Sequence, residues 1–483
     1  MTASAPVFAV LGHPNKGKSS IVATLAHDDS VAIGPVPGTT VKCRSFPMKV
    51  DGTVLYTLVD TPGFQRARGA LDWMRRQETT AARRAEVVGD FVRTHEATGQ
   101  FPDERELLAP VVEGAGILYV VDGSVPYGPE YEPEMEILRW TGRPRMALIN
   151  PIGRADHVEE WRQALGQYFH VVRVFDAVTA EFDKQVELLR TFGHLHEEWR
   201  EPLEHAAAVL GRERGKRRAR AARLVGGTLT EMLTLTVTKT LSADADAEPE
   251  KPALEKRYRD ALRDLERRCR DRVEGVYEHV RVPRVEDPLD LLEEDLFSEE
   301  TWLRFGLKRA QLATLGAGGG AVIGGTLDAA LGGASLLLGT LVGAGIGAAV
   351  GWLGANRLVE VTIAAIPLGG KKLVAGPTRN RNFPHVALGR ARLHRLLVSN
   401  RAHARRDDLN CRDDLGRLLP PLSEEARRRF EACFERVRKG QDPEGASEEL
   451  SRALETVFEE DDRIHPAGPA PKGSPSPPGE RPL

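Results

Sequence analysis

A glycine-rich turn close to the N-terminus constrains this chain more than any other feature. Residues 12–19 read GHPNKGKS, and they lie between the apolar run 7–11 and a helix-forming segment at 20–26. In a GxxxxGK[ST] turn between a strand and a helix, successive backbone N–H groups converge on an anion, and the positive end of the helix points at it. The pattern therefore predicts a phosphate-binding loop. The alternative is a glycine-rich turn that joins the strand to the helix without binding a ligand.

The side chains of this loop have separate predicted roles. Lys18 neutralises phosphate charge, and the hydroxyl group of Ser19 reaches a Mg²⁺ ion. The residues predicted to contact a nucleotide here are Gly12, Asn15, Lys16, Gly17, Lys18, Ser19 and Ser20.

A second phosphate-related signature follows the loop. Residues 54–59 form a β-rich run that ends in DTPG at 60–63, and PGTT lies between the two signatures at 37–40. In this pattern Asp60 would hold the Mg²⁺ shell, and the N–H group of Gly63 would sense a γ-phosphate. A threonine is also needed as a Mg²⁺ ligand, and we assign that role to Thr40, with Thr39 as the alternative.

The spacing of apolar runs predicts the fold of this part of the chain. Further strands are expected at 116–122, 146–150 and 171–175, and the segments between them are long enough for crossover helices. This alternation is typical of a parallel sheet with helices on both faces. We predict a doubly wound α/β domain over residues 1–194. The 483 residues of the chain are enough for two or three domains.

Composition excludes several classes of protein. A formal net charge of −3 and a pI near 6.5 give no overall attraction to nucleic acid, so such binding would need a local basic patch. The four cysteines have no CxxC spacing, which argues against a metal knuckle or a disulfide framework. The residues before the loop lack the basic start of a signal peptide, and together these observations predict a cytoplasmic location.

The motifs GHPNKGKSS, PGTT and DTPG together resemble those of the TrmE, Era and EngA class of bacterial GTPases, over residues 5–195. The resemblance implies a P-loop G domain that binds GTP with Mg²⁺ and hydrolyses it to GDP. It assigns catalysis to Lys18, Thr40 and Gly63, and the metal to Ser19, Thr40 and Asp60. Phe64 stands where Ras-like proteins carry a water-orienting glutamine. Catalysis by that glutamine is therefore not available, and we expect slow hydrolysis.

The resemblance also suggests a monovalent cation. Relatives often carry an asparagine in the phosphate loop that helps bind K⁺, and Asn15 stands at that position. Stimulation of hydrolysis by K⁺ is therefore a hypothesis that rests on Asn15. The alternative is that Asn15 is present because asparagine tolerates unusual backbone angles.

The base-recognition motif of the family is incomplete in this chain. Where NKxD is expected, the sequence reads NPIG at 150–153, so Asn150 is kept and the carboxylate that would bind guanine is lost. Loss of such a charged hydrogen-bond partner should cost about 1.5 to 3 kcal/mol of base discrimination. Asp156 and Asp176 are candidate substitutes, and Asp176 lies where the last loop of the family would contact the base. The alternative for both is a solvated loop acid.

Residues 195–309 are charged and helix-periodic, and a loop at 242–252 divides them into two helical stretches. This pattern favours a stalk or a coiled-coil pair of antiparallel helices. Residues 212–223 carry seven basic residues against one acid, so this run could contact RNA of a ribosome or anionic lipid. The alternative is a solvated helix face, and no aromatic residues are interleaved to stack on bases.

Residues 310–357 form the second strong feature of the sequence, an apolar, glycine-rich segment that favours a helical hairpin. Its arms, 310–327 and 329–354, meet at Asp328, and in each arm glycines recur at every fourth position. The eight glycines of the second arm would cost an isolated helix about 8 kcal/mol relative to alanine. The arm therefore needs a bilayer or a protein interior around it. We predict contact with inner-membrane lipid or a membrane protein, on the cytoplasmic face; the alternative is a hairpin buried in protein.

The remaining sequence shows no catalytic constellation. Residues 358–463 are predicted to be mainly helical, and the Pro-rich tail 464–483 is predicted to be disordered. The C-terminal half resembles a bacterial family in which such a G domain is joined to a domain of unknown function. The sequence as a whole predicts a GTP-dependent switch that controls a helical, membrane-associated module. The alternatives are a soluble assembly GTPase acting on the ribosome or RNA, and a degenerate nucleotide-binding module with little hydrolysis.

Overall fold

The computed structural model describes residues 5–33, 40–77, 80–153, 155–180, 182–279, 282, 358–366, 370–381, 383–407 and 419–464. The predicted glycine-rich hairpin, Asp328, Thr39 and the Pro-rich tail beyond Ile464 lie outside the described residues. The predictions made for those segments therefore stay predictions.

The N-terminal part of the chain is built on one six-stranded sheet. Its strands are β1 Val7–Leu11, β2 Arg44–Val50, β3 Thr53–Asp60, β4 Gly116–Asp122, β5 Arg145–Asn150 and β6 Val171–Val174. Their order in the sheet is β2-β3-β1-β4-β5-β6, and only β2 pairs antiparallel with its neighbour. The predicted α/β fold with a mainly parallel sheet is confirmed.

Helices cover both faces of this sheet. They are α1 Lys18–Ala26, α2 Ala67–Arg75, α3 Arg84–Thr98, α4 Pro102–Val112, α5 Glu132–Trp140, α6 Val158–Leu165 and α7 Phe182–Gly193. Every residue of β4 is buried, because helices pack against it from both sides. The loops at the carboxyl ends of β1, β3 and β5, where the sequence motifs lie, are therefore held by rigid strands.

The C-terminal part combines helices with a small sheet. Its elements are α8 Glu197–Thr234, β7 Val237–Leu241, α9 Lys251–Val276, β8 Val361–Ile366, β9 Gly370–Ala375, α10 Phe383–Ser399, α11 Glu424–Arg438 and α12 Pro443–Ile464. The three strands form an antiparallel sheet in the order β7-β9-β8. The sequence predicted a helical region with loops here and missed this sheet, because β7 is short and its partner β9 is distant in sequence.

One core joins the two segments that the sequence analysis treated separately, 195–309 and 358–463. Buried side chains from α8, α9, β9, α10, α11 and α12 belong to a single apolar cluster. The helices approach closely: a Cβ atom on Gly226 of α8 would lie 2.5 Å from the hydroxyl oxygen of Ser451 in α12. The helix α8 is therefore packed within a globular domain rather than exposed as a stalk.

The same helix also enters the core of the N-terminal part. Leu203, Ala206 and Leu210 of α8 are buried with side chains of α1 and the sheet. Near the start of α8, the ring of Trp199 meets that of Phe8 edge-on, with the ring centroids 5.3 Å apart. One continuous helix thus contributes to a hydrophobic cluster in each part of the chain.

The basic run 212–223 lies in the middle of α8 and is largely paired with acids of this chain. Arg217 is buried and lies 2.7 Å from Glu278, whereas Lys216 lies 3.2 Å from Asp51 in the turn between β2 and β3. Arg218 is paired with Glu459 of α12 at 3.2 Å. These ion pairs weaken the expectation that the basic run contacts RNA or lipid. They also differ from the alternative, in which the basic side chains would form a solvated helix face.

The structure was also searched for helices that could cross a membrane. Among the described residues, which leave out the glycine-rich segment, no helix combines the length and the apolar character that a membrane span needs.

Candidate nucleotide-binding site

The loop between β1 and α1 has the backbone geometry of a phosphate cradle. Gly12 and Gly17 have φ angles of 143° and 85°, in the left-handed region that favours glycine. Space also excludes side chains there, because a Cβ atom would lie 2.3 Å from the Val120 carbonyl oxygen at Gly12 and 2.1 Å from Asn150 Nδ2 at Gly17. Both glycines are therefore required by the fold of the loop.

Lys18 begins α1 and is buried beneath this loop. Its Nζ donates a hydrogen bond of 2.9 Å to the backbone oxygen of His13, within the loop itself. Burial lowers the pKa of Lys18 to about 8, while the nearby carboxylates of Asp60 and Glu134 act to raise it. The loop thus holds the Lys18 ammonium group against its own backbone, and the phosphate-binding role of Lys18 stays a prediction.

Two hydroxyl groups and a carboxylate converge beside Lys18. Ser19 Oγ and Thr40 Oγ1 donate hydrogen bonds of 2.9 and 3.0 Å to the same atom, Asp60 Oδ2. Burial raises the pKa of Asp60, and its second oxygen, Oδ1, is buried without a hydrogen-bond partner among the described residues. Hard oxygen donors with an unsatisfied buried carboxylate oxygen fit a Mg²⁺ ion. The structure therefore brings together the three predicted metal-binding residues.

The DTPG segment runs directly against the phosphate loop. The N–H group of Phe64 donates to the Gly12 carbonyl at 3.2 Å, and a Cβ atom on Gly63 would lie 2.6 Å from the backbone nitrogen of Pro14. The side chain of Phe64 is 1% exposed and packs in the core. The residue at the position of the water-orienting glutamine of Ras-like proteins therefore points into the core. Its side chain is apolar, so it cannot orient a water molecule.

Gly63→Ala is expected to slow GTP hydrolysis by about tenfold or more, because the added methyl group cannot fit beside Pro14 and must displace the N–H group that would face the γ-phosphate. GDP affinity should change little. Single-turnover hydrolysis and GDP titration check both statements. Gly211→Ala on α8 is the control, since a Cβ atom there meets nothing within 4 Å. Unchanged turnover in the Gly63 variant would contradict the assignment.

Asn150, the residue kept from the base motif, ties two loops together. Its Nδ2 lies 3.4 Å from the Lys16 carbonyl, and its Oδ1 accepts a hydrogen bond of 3.1 Å from the N–H group of Ala177. Ile152, two residues further on, is 55% exposed and lines the nucleotide cleft. Asn150 thus holds the phosphate loop against the loop after β6, and an apolar side chain borders the cleft where the family motif is polar.

Asp176 is engaged within its own loop. One carboxylate oxygen accepts from the N–H groups of Val178 and Thr179 at 2.8 and 3.3 Å, and the other accepts from the Thr179 hydroxyl group at 2.7 Å. This is the arrangement of an acid that stabilises a turn. Asp156 is exposed. A base-binding role for either acid stays a prediction, and the geometry of Asp176 favours the alternative.

Two buried acids that the sequence analysis did not single out support the site. Glu134 of α5 lies under the phosphate loop, where it hydrogen-bonds His13 Nδ1 at 2.8 Å and the Tyr119 hydroxyl group at 2.9 Å. Glu104 of α4 is fully buried and accepts hydrogen bonds from the N–H groups of Gln65 and Arg66, after DTPG. In the sequence each of these two residues is one of several acids in its helix, so no local pattern distinguishes it or identifies its partner.

Together these elements border a cleft of about 470 Å³. Its walls are formed by the phosphate loop, by Thr40 and by the DTPG segment, and Asn15 lies at its edge. Asn15 is exposed and has a φ angle of 60°, in the left-handed region. This fits the alternative explanation, in which an asparagine is present because it tolerates unusual backbone angles. A K⁺-binding role for Asn15 stays a prediction.

Comparison with known proteins shows that the N-terminal part of the chain is similar to GTPases. The chain is 24% identical to tRNA modification GTPase MnmE of Pseudothermotoga lettingae over 167 aligned residues. The aligned region covers 34% of this chain and 30% of that protein. The chain is 32% identical to GTPase Der of Nitrosococcus oceani over 120 aligned residues. This aligned region covers 24% of this chain and 25% of that protein. The chain thus spans less than a third of the length of these curated relatives.

Among solved structures, the chain is similar to Era of Aquifex aeolicus bound to GDP and aluminium fluoride, with a TM-score of 0.26 and 17% identity over 57% of this chain and 90% of that chain. Residues 7–150 match the family described as 50S ribosome-binding GTPase, and residues 162–458 match the family described as Domain of unknown function (DUF3482). The chain therefore belongs to the DUF3482 family and carries at its N-terminus a P-loop domain of the 50S ribosome-binding GTPase type.

Proposed function

We propose that the N-terminal domain hydrolyses GTP slowly in the presence of Mg²⁺, and that its nucleotide state controls the C-terminal domain. The observation that carries the proposal is the convergence of Ser19 and Thr40 on Asp60 beside Lys18. Thr40 and Asp60 come from separate segments of the chain, and a hydrogen bond of 3.0 Å joins their side chains. A site that needs both segments in place changes when the γ-phosphate is lost.

The residues of the chain divide the work of hydrolysis. Lys18 binds phosphate oxygens and offsets their negative charge, and the N–H group of Gly63 faces the γ-phosphate. Ser19, Thr40 and Asp60 would hold Mg²⁺, which neutralises charge on the phosphates when bound. Because Phe64 is buried, attack by water depends on charge stabilisation rather than on a side-chain base. This division of roles is the reason for expecting slow turnover.

Contacts between the domains support control of the C-terminal part. The segment after α10 lies against the connection between α1 and Thr40: Arg406 Nη2 donates hydrogen bonds of 3.1 and 3.3 Å to the carbonyl oxygens of Asp29 and Val31. Ala404 is buried in the core of the N-terminal domain. The backbone that the C-terminal domain contacts, at Asp29 and Val31, thus lies close in sequence to Thr40. A conformational change at Thr40 would act on the chain next to this contact.

Base preference is the first property to measure. We expect GTP to bind more tightly than ATP, but with a preference about 10- to 100-fold smaller than a complete base motif provides, because residues 150–153 lack the carboxylate of that motif. Competition titrations of GTP and ATP against a fluorescent GDP analogue check this. Equal affinity for the two nucleotides would remove guanine from the proposal and leave a general nucleotide-binding module.

Turnover is the second property. We expect hydrolysis to be faster in K⁺ than in Na⁺, with Asn15 supporting the bound cation. An identical rate in the two salts would remove K⁺ from the proposal. Absence of any turnover above the Lys18→Ala background would favour the degenerate module instead.

We further propose that the controlled module associates with the cytoplasmic face of the inner membrane through residues 310–357. The glycine spacing of that segment supports this over the ribosome or RNA alternative, since the basic run 212–223 is paired with acids of the same chain. Fractionation of cells that express the chain with and without residues 310–354 tests it. A chain that stays soluble with the segment intact would favour the soluble alternative.

A further inference from the structure

A compact group of metal-ligating side chains lies where the two domains meet, away from the nucleotide cleft. It consists of Asp29, just after α1, His279, just after α9, and His403, after α10. His403 Nδ1 lies 2.7 Å from one carboxylate oxygen of Asp29, and His279 Nδ1 lies 3.4 Å from the other. The three residues come from three distant parts of the sequence, so only the fold brings them together.

Burial sets this group apart from an exposed ion pair. The side chains of His279 and His403 are 3% and 7% exposed, and that of Asp29 is 15% exposed. The two imidazole rings stack with their centroids 4.3 Å apart. Burying two imidazoles against one carboxylate is costly unless each polar atom is satisfied, and a bound cation is one way to satisfy them.

The donor set fits a transition metal in number, type and spacing. The candidate ligand atoms of the three residues lie within 4.8 Å of one another. In a tetrahedral Zn²⁺ site, ligand atoms at about 2.0–2.1 Å from the metal lie about 3.3 Å apart, so small side-chain movements would complete the geometry. Imidazole nitrogen with carboxylate oxygen suits Zn²⁺ better than Mg²⁺, which prefers oxygen ligands alone.

The surroundings offer space and a further imidazole. A cavity of about 70 Å³ adjoins the group and is bordered by His27, His279 and His403, which is room enough for a water molecule as a fourth ligand. The ring of His27 stacks on that of His403 with centroids 5.3 Å apart. His27 Nε2 contacts Gln185, while its buried Nδ1 has no hydrogen-bond partner among the described residues.

We propose that Asp29, His279 and His403 bind a Zn²⁺ ion that fastens the C-terminal domain to the segment leading to Thr40. Two ligands come from the C-terminal domain, and the third comes from the N-terminal domain. The hydrogen bonds of Arg406 to the backbone of Asp29 and Val31 hold the same segment from the side. The ion would therefore anchor one end of the segment that carries Thr40, at a fixed distance from the nucleotide cleft.

Metal titration of the full chain without nucleotide tests the proposal. After chelator treatment and dialysis, we expect the protein to bind about one equivalent of Zn²⁺. With Co²⁺ in its place, we expect the visible absorption of a four-coordinate site. Zn²⁺ should also raise the melting temperature, because it binds the folded state. Absence of stoichiometric binding, with no effect on melting, would leave a hydrogen-bonded histidine–aspartate cluster and overturn the proposal.

Variants locate the bound metal. Asp29→Asn and His403→Asn should weaken Zn²⁺ binding on the order of 100-fold and remove the thermal shift. His157→Asn is the matched control, since that histidine is 35% exposed at the start of α6 and pairs only with Glu160 among the described contacts. If one variant fails to fold by circular dichroism, His279→Asn replaces it. Unchanged affinity in folded variants would place the metal elsewhere and contradict the assignment. Lys18→Ala should bind Zn²⁺ normally, so failure of the GTPase proposal would be told apart from failure of this one.

Discussion

Lys18→Ala is expected to weaken GTP binding by about 30-fold or more and to abolish measurable turnover. Lys18 is buried at the start of α1, and its ammonium group already lies among the backbone atoms of the phosphate loop. Removal of one partner from a desolvated, charge-assisted contact typically costs about 2 to 5 kcal/mol of binding free energy. The variant would leave phosphate oxygens in the loop without the charge that offsets them. Titration with a fluorescent GTP analogue measures the loss.

Lys49→Ala provides the control for this experiment. Lys49 lies on the exposed edge of the sheet, in β2, so its removal changes net charge by the same amount without touching the cleft. Its GTP affinity should stay within about twofold of the original chain, since surface substitutions typically change free energies by less than about 0.5 kcal/mol. Equal affinities in the two variants would show that the nucleotide binds somewhere other than this loop.

Asp462→Ala should destabilise the C-terminal domain by about 3 to 5 kcal/mol, because it leaves the guanidinium group of Arg395 buried without its carboxylate. Arg395 is 1% exposed, and its two terminal nitrogens contact the two oxygens of Asp462 at 2.6 and 2.7 Å. The Tyr277 hydroxyl group and the Phe458 carbonyl would remain as partners, but neither carries a balancing charge. Urea unfolding of the full chain, followed by circular dichroism, measures the change.

The comparison variant is Glu460→Ala, two residues earlier on the same helix. Glu460 is exposed, so the loss of its carboxylate should change the unfolding free energy by no more than about 0.5 kcal/mol. Asp462→Asn adds a second arm, since it keeps the shape of the side chain and removes the charge. If all three variants unfold like the original chain, the buried pair contributes no net stability.

Local sequence predicted which residues lie together at the cleft because each of its parts is a contiguous motif; their roles stay predictions. The strand before the phosphate loop was predicted at the residues where β1 lies, and the predicted metal ligands meet at Asp60. Turn geometry demands particular residue types at fixed spacing, so such patterns are visible without a structure. The fold of the N-terminal domain followed from the same strands.

What could not be predicted depends on residues distant in the sequence. The strand β7 pairs with β9, which lies far downstream, and a five-residue run carries too little periodicity to be distinguished from a loop. Glu134 is one of three acids in α5, and only the fold places it under His13. The approach of His403 to Asp29 likewise depends on how two domains pack, which no local pattern records.

The length and continuity of α8 have a mechanical consequence. The helix has 38 residues and extends about 57 Å at about 1.5 Å per residue, with its first turns fixed in one core and its last turns fixed in the other. The helix is unbroken between the two domains. A tilt of about 5° at the nucleotide-binding end would move the far end by about 5 Å, which is comparable to one helical turn. A rearrangement around the nucleotide that tilted α8 would therefore be enlarged by distance at the end of the helix that lies in the C-terminal domain.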